Sequence, residues 1–404
     1  MFRELASVPA LVKREGTVLV SEYQYYEFIA IDRPLTPTQM AELRARSSRA
    51  TITPTSFINE YHWGDLKGDP AAWMRRYFDA FVYVANWCSC RLALRVPLDT
   101  FDRGTLQPYA SEYALTLDAS PSHWIINWEL SEGENYDRFG MEDGRGWMGR
   151  LAPLRDELLR GDLRPLYLGW LAGVAAGEIP DDETEPLLPP GLSSLTAAQT
   201  ALVEFLEIDP DLLAAAAAGS DLARDQEGDG NTAREWIAAL PEGECRATLR
   251  LLLEGRAREA ERTLKTRFLA WQRERSPPQT AVVGRRTVAE LRTLAEDAGR
   301  IRREREAKAR AQAKARQRQQ REAYLATLAA DFDRAWAAAH EMAERGTASG
   351  YDETLRAIVD LGEAYALRKE GEAFEQALRR FMIRHGKRGA LVRRLTGAKL
   401  WRKA

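Results

Sequence analysis

Histidine and cysteine are scarce in this chain, four and three among 404 residues. Four histidines leave little material for a His-based triad, and neither GxSxG nor GxxxxGK[ST] occurs, so the serine-hydrolase and P-loop patterns are missing. Cys88 and Cys90 stand too close to bridge and Cys245 is an odd third thiol, which excludes a disulfide framework and points to a reducing compartment. No apolar run approaches the eighteen or so residues of a transmembrane helix. The start, Met1-Phe2-Arg3-Glu4, carries no signal-peptide pattern, so the expected location is the cytoplasm.

Net charge is almost absent too, at −2, but only because two unlike halves cancel. Residues 241–404 carry 37 Lys and Arg against 23 Asp and Glu, and residues 1–240 carry 21 against 37. Such polarity implies either an anionic partner for the basic half or two halves that face each other. With 45% hydrophobic and 29% charged residues the composition is that of folded domains.

The first half reads as α+β. Tyr23–Ile31 is aromatic and β-branched and closes at Asp32-Arg-Pro34, the pattern of a strand. Thr36, Pro37 and Gln39 form a capping-box start for a helix. Residues 50–63 return to β composition, and Asp69-Pro70 starts a second helix that the apolar run Trp73, Tyr77, Phe78, Phe81, Val82 and Val84 extends. Short strands over 91–96, 113–117 and 124–130 complete a ferredoxin-like split βαβ sheet with helices on one side, within an α+β domain over 1–180. Asp181–Pro190, broken by prolines and acids, predicts a linker over 181–195. Beyond it the pattern is helical: a domain over 196–275, a long basic helix over 286–345 and a helical hairpin over 350–404.

Three motif-like stretches fail on context. Gly144-Arg-Gly146-Trp-Met-Gly149 has dinucleotide-binding spacing, but a long acidic loop replaces the strand that should lead in, so no cofactor is expected. Asp225–Asn231 resembles the front of a calcium loop, yet the twelfth position, where the bidentate acid belongs, is Trp236. Cys88-Ser-Cys90 lacks partners for a zinc site, and no metal is expected there.

Two clusters carry functional expectations. Glu60 and His62 share a strand face by the two-residue period, and Asp65 and Lys67 follow on the turn. Two carboxylates, an imidazole and an ammonium form the equipment of a metal-dependent hydrolase or nuclease, with Asp32 as the one convenient further acid. The second cluster is Arg300–Arg321, with ten cations, two acids and Ile301 as its one large apolar side chain, helical by propensity and unable to be buried. Arg302, Arg303, Arg310, Lys314 and Arg318 are its candidate phosphate contacts. A further basic run supplies Arg384, Lys387, Arg388, Arg393 and Arg394 among apolar Phe381, Met382 and Leu391.

The stretch from Tyr25-Tyr-Glu-Phe-Ile-Ala-Ile31 through Thr53–Pro70 resembles a family of uncharacterised bacterial proteins over about half the chain, and that resemblance implies no activity. The tail, Asp360–Tyr365 through Phe381–Arg388, is similar to the helical ends of bacterial SWIM zinc-finger proteins, although their CxC…CxH ligands are missing here. That likeness implies a helical platform in a nucleic-acid setting. The leading expectation is an interaction protein that associates with nucleic acid (DNA or RNA), or with a nucleic-acid-bound partner, through its basic half and without chemistry of its own. The hydrolase at Glu60, His62, Asp65 and Lys67 is the alternative, and a protein-docking scaffold is the third.

Overall fold

A computed structural model describes residues 23–131, 144–220, 229–275 and 286–402. These fall into two compact units, divided between Arg300 and Ile301.

The first unit is built on one sheet: β1 (Gln24–Ile29), β2 (Thr51–Thr53), β3 (Ser56–Tyr61), β4 (Ala80–Ala85), β5 (Cys90–Pro97), β6 (Leu115–Ala119) and β7 (His123–Leu130). The spatial order is β2-β3-β1-β4-β5-β7-β6, and every neighbouring pair is antiparallel. The expected split βαβ plait is therefore not what forms. Its helical crossovers bring strands side by side in parallel, whereas here β1 is flanked by β3 and β4, both antiparallel to it.

Helices cover both faces, not one. α1 (Pro37–Arg46) and α2 (Pro70–Arg76) lie over Tyr26, Phe28, Phe57, Phe81, Ala93 and Ile125. Across the sheet, Val82, Val84, Leu92, Leu94, Ile126 and Trp128 meet a larger helical layer. α1 begins with the full capping box of Thr36 and Gln39, and Asp69 caps α2 by accepting from the Ala71 amide. α2, however, ends at Arg76, and Phe81, Val82 and Val84 belong to β4 rather than to the expected long helix. The reason is the two-sided burial. Phe81 packs under α2 and Val82 under the opposite layer, so β4 loses the polar alternation that identifies a half-buried strand.

After the short α3 (Arg103–Leu106), the larger layer begins with α4 (Trp147–Leu151), α5 (Leu154–Leu159) and α6 (Arg164–Ala175). It continues with α7 (Ala197–Phe205) and α8 (Pro210–Ala218). The segment expected as a linker is packed among them. Glu185 is 2% exposed, takes the Tyr167 hydroxyl, and receives Arg286 Nε and Nη2 at 2.9 and 2.8 Å. Tyr109 donates to the Leu187 carbonyl at 2.6 Å and Leu188 is buried. Its prolines and acids break helical periodicity because they build a fixed connection.

α9 (Asp229–Ala239), α10 (Glu242–Leu253) and α11 (Ala257–Arg275) follow. α12 (Val288–Ala330) starts in the first unit, where Val288 and Leu291 enter the core, and ends in the second. The second unit then contains α13 (Phe332–Glu344), α14 (Ala348–Leu367), α15 (Gly371–His385) and α16 (Gly389–Gly397), around Trp336, Ile358, Leu361, Phe381, Leu391 and Leu395. The helix expected over 286–345 thus breaks at Asp331, which caps α13, and three helices stand where a hairpin was expected.

Candidate functional site

Residues 300–320 of α12 are exposed on every side. Alanine, arginine and glutamine keep them helical by propensity alone, since no apolar stripe asks for a partner. Some of the cations are paired: Arg300 with Asp297 at 2.8 Å, Arg302 with Glu306 at 3.0 Å and Arg318 with Glu322 at 3.3 Å. Arg321 is held by Asp360 and Glu363 and is raised above the ordinary arginine range by those hydrogen bonds. Arg303, Arg305, Lys308, Arg310, Lys314 and Arg316 make no ion pair among the described residues. Lys314 stands one turn from both Arg310 and Arg318, and like charges at that spacing each destabilise a helix by about 0.2–0.5 kcal/mol. An anion laid along the helix removes that repulsion.

The second basic run is mostly engaged inside its own unit. Arg384 pairs with Glu344, and Arg394 Nε meets Asp352 at 2.6 Å, holding that carboxyl below its ordinary range. Arg388 Nη1 lies 3.5 Å from the Tyr351 hydroxyl. Lys387 and Arg393 remain exposed, without an ion pair among the described residues. Of the ten cations proposed from sequence, then, Arg303, Arg310, Lys314, Lys387 and Arg393 are left for an outside anion. Arg305, Lys308 and Arg316 join them; Arg305 and Arg316 have no acid one turn away on the helix, and Lys308, four residues after Glu304, makes no ion pair with it.

The strand cluster does not converge. Glu60 accepts Arg145 Nε at 3.1 Å and Nη2 at 2.7 Å. His62 is exposed, with its ring 5.5 Å from that of Tyr23. Asp65 accepts the Tyr26 hydroxyl at 2.6 Å and the Leu66 amide at 2.7 Å, while Lys67 stands exposed on the turn. Among the described residues no three His, Cys, Asp or Glu side chains are grouped to hold a metal. Asp32 cannot complete the set. Tyr61 pairs with Gln24 at the start of β1, and Asp32 follows its far end, about 25 Å of strand away.

Asp32 belongs instead to a buried ionic network that sequence reasoning missed. Asp79 accepts the Ile31 and Asp32 amides at 2.6 and 2.8 Å and Arg95 Nη2 and Nε at 2.5 and 2.9 Å. Arg155 donates to the Arg95 carbonyl and to Asp32 Oδ2, both at 2.7 Å. Burial alone would raise the Asp79 carboxyl, but the guanidinium groups of Arg95 and Arg155 hold it below its ordinary range. For Asp32 burial outweighs Arg155, and its carboxyl sits above that range. No single stretch of sequence contains this network, because each charge finds its partner across the fold.

The remaining motifs resolve into packing. Gly144, at φ +72°, lies so close to Tyr25 and Val84 that a Cβ there would collide with both side chains, and Gly146 precedes a helix of only five residues. Cys88 and Cys90 are buried, with the Cys90 thiol donating to the Phe205 carbonyl at 2.9 Å. Most of the calcium-like stretch, 225–228, lies outside the described residues. Among the described residues no helix is long and apolar enough to cross a membrane. Compared with family models, with curated proteins and with solved structures, the chain matches none.

Proposed function

We propose that this protein associates with nucleic acid in the cytoplasm, directly through the exposed stretch of α12, and carries out no chemistry of its own. The observation that supports this reading is the row of six exposed cations from Arg303 to Arg316 that make no ion pair among the described residues, against two acids, Glu304 and Glu306, in the same stretch. Lysine and arginine on a phosphate chain displace condensed counterions, and the entropy of that release drives binding without base recognition. The hydrolase reading has no such support, since Glu60 and Asp65 are engaged by Arg145 and Tyr26.

The test is fluorescence anisotropy with labelled DNA and RNA, single- and double-stranded, over a salt series with and without Mg²⁺. Six duplex phosphates neutralised correspond to a log–log salt slope of about −5.4. Replacing all six cations with glutamine, which also favours helix, should remove most of that slope while circular dichroism stays helical. Wild-type affinity in that variant would sink the proposal, and shortened probes would contradict the absence of chemistry.

A further inference from the structure

The six cations form two lanes on opposite sides of α12. At about 100° per residue, Arg303, Arg310 and Lys314 fall within about 40° of one another, while Arg305, Lys308 and Arg316 fall within about 80° on the other side. Between the two runs a lane of alanine, Ala307, Ala311 and Ala315, spaced four apart and exposed, with the acid Glu304 at its N-terminal end. From Arg303 to Arg316 the helix rises about 20 Å.

A helix lying against one phosphate strand would use one lane and turn the other to water. Both lanes are occupied at once only if phosphate stands on both flanks, as it does along the walls of a duplex groove. A helix with its side chains measures about 10–12 Å across, and the major groove of B-form DNA is about 12 Å wide. The A-form major groove is deep and narrow and does not admit it. Alanine, the smallest side chain after glycine, lets the helix approach the groove floor.

Resting on the nucleic-acid reading above, we infer that residues 303–316 lie in the major groove of B-form duplex DNA. Each cation lane contacts one phosphate backbone, and the Ala307, Ala311 and Ala315 lane faces the base edges. Over Ala307–Ala315 the methyl groups can touch thymine methyls but offer no hydrogen bonds, so that part of the contact follows duplex shape and charge rather than sequence, and Glu304 is the one hydrogen-bonding group at the N-terminal end of the lane.

The experiment compares the full chain on a DNA duplex two helical turns long, an RNA duplex of the same sequence and the single strands. It includes dimethyl sulfate probing of guanine N7, which lies in the major groove. The DNA duplex should bind tightest and its N7 atoms should be protected. The variants R303Q/R310Q/K314Q and R305Q/K308Q/R316Q should each lose about 2.7 of the salt slope. A307L/A311L keeps the charge and should weaken binding to the DNA duplex tenfold or more while leaving single strands unaffected. Equal affinity for all probes, unprotected N7, or a slope carried by one lane alone overturns the groove placement and leaves nucleic-acid association standing. No binding to any probe overturns both.

Discussion

Replacing Asp79 with asparagine keeps the shape of the side chain and removes one charge from a place with no access to water. Asp79 is fully buried, and Arg95, its partner at 2.5 Å, has a side chain only 7% exposed. The substituted amide oxygen can still accept both the Ile31 and Asp32 backbone N–H groups, which share Oδ2, but its NH₂ then stands where Oδ1 was and confronts the Arg95 guanidinium, donor against donor. Breaking a buried pair in this way costs about 3–5 kcal/mol, a large share of the 5–15 or so that holds a typical domain. With about 2.1 cal/mol/K of unfolding entropy per residue over roughly 280 residues, the first unit should lose about 5–9 °C in Tm. Urea and thermal unfolding followed by tryptophan fluorescence measure this, with D79N/R95M and R95M completing a double-mutant cycle. The double variant should be more stable than D79N alone, because it removes the stranded cation as well. The pH dependence has a definite sign. The folded-state value of Asp79 lies below its ordinary 3.8, so its contribution is complete above that value and is lost as pH falls through the lower one. If D79N loses less than about 1 kcal/mol, the charge on Asp79 contributes little and the network is held by neutral contacts.

Two further outcomes follow from the packing. Phe28 is fully buried, with the rings of Phe81, Phe78, Trp73 and Phe57 centred 4.2, 5.1, 5.3 and 5.9 Å away; Phe28→Ala should cost about 3–5 kcal/mol in urea unfolding, and Phe28→Leu less than about half of that. In the second unit His340 Nδ1 and His385 Nε2 share a hydrogen bond of 2.8 Å, and His385 Nδ1 is buried without a partner among the described residues. Burial first, then His340, Arg388 and Arg384 against an opposing Glu344, hold His385 below its ordinary 6.5; His340 is lowered by burial and Arg384. The unfolded chain therefore binds the protons more tightly, so stability is complete above pH about 6.5 and declines below it. Hydrogen exchange of α13 and α15, corrected for intrinsic rate, should accelerate through that window and lose the dependence in His385→Phe.

Local signals were legible in the sequence and distant ones were not. The Thr36 and Gln39 capping box and the Asp69 cap each lie within four residues of what they stabilise, and both form as read. The exposed basic stretch was readable for the same reason, because its helicity and solvation depend on its own composition. β4 was misassigned because helices from both sides bury its faces, Phe81 under α2 and Val82 and Val84 under the layer supplied by residues far downstream. The cluster at Glu60 through Lys67 was dense along the chain, but Arg145 and Tyr26 arrive from elsewhere to occupy its acids. Asp32, Asp79, Arg95 and Arg155 carried no mutual signal, since their partnership exists only once the sheet has assembled.

The order of strands also has a consequence for how the protein behaves in a crowded solution. A sheet with its central strands buried on both faces is strongly apolar, and its open edges are where a second chain could add itself and start a fibre. Here the edges are the two shortest strands. β2 has three residues, Thr51–Thr53, and β6 has five, with Asp118 tied to Arg75 beside it. A foreign strand finds at one side too few free backbone groups for a lasting ladder, and at the other a charged pair in its path. The long, sticky strands are kept in the interior of the order, so the unit can carry an unusually apolar sheet and still resist growing it.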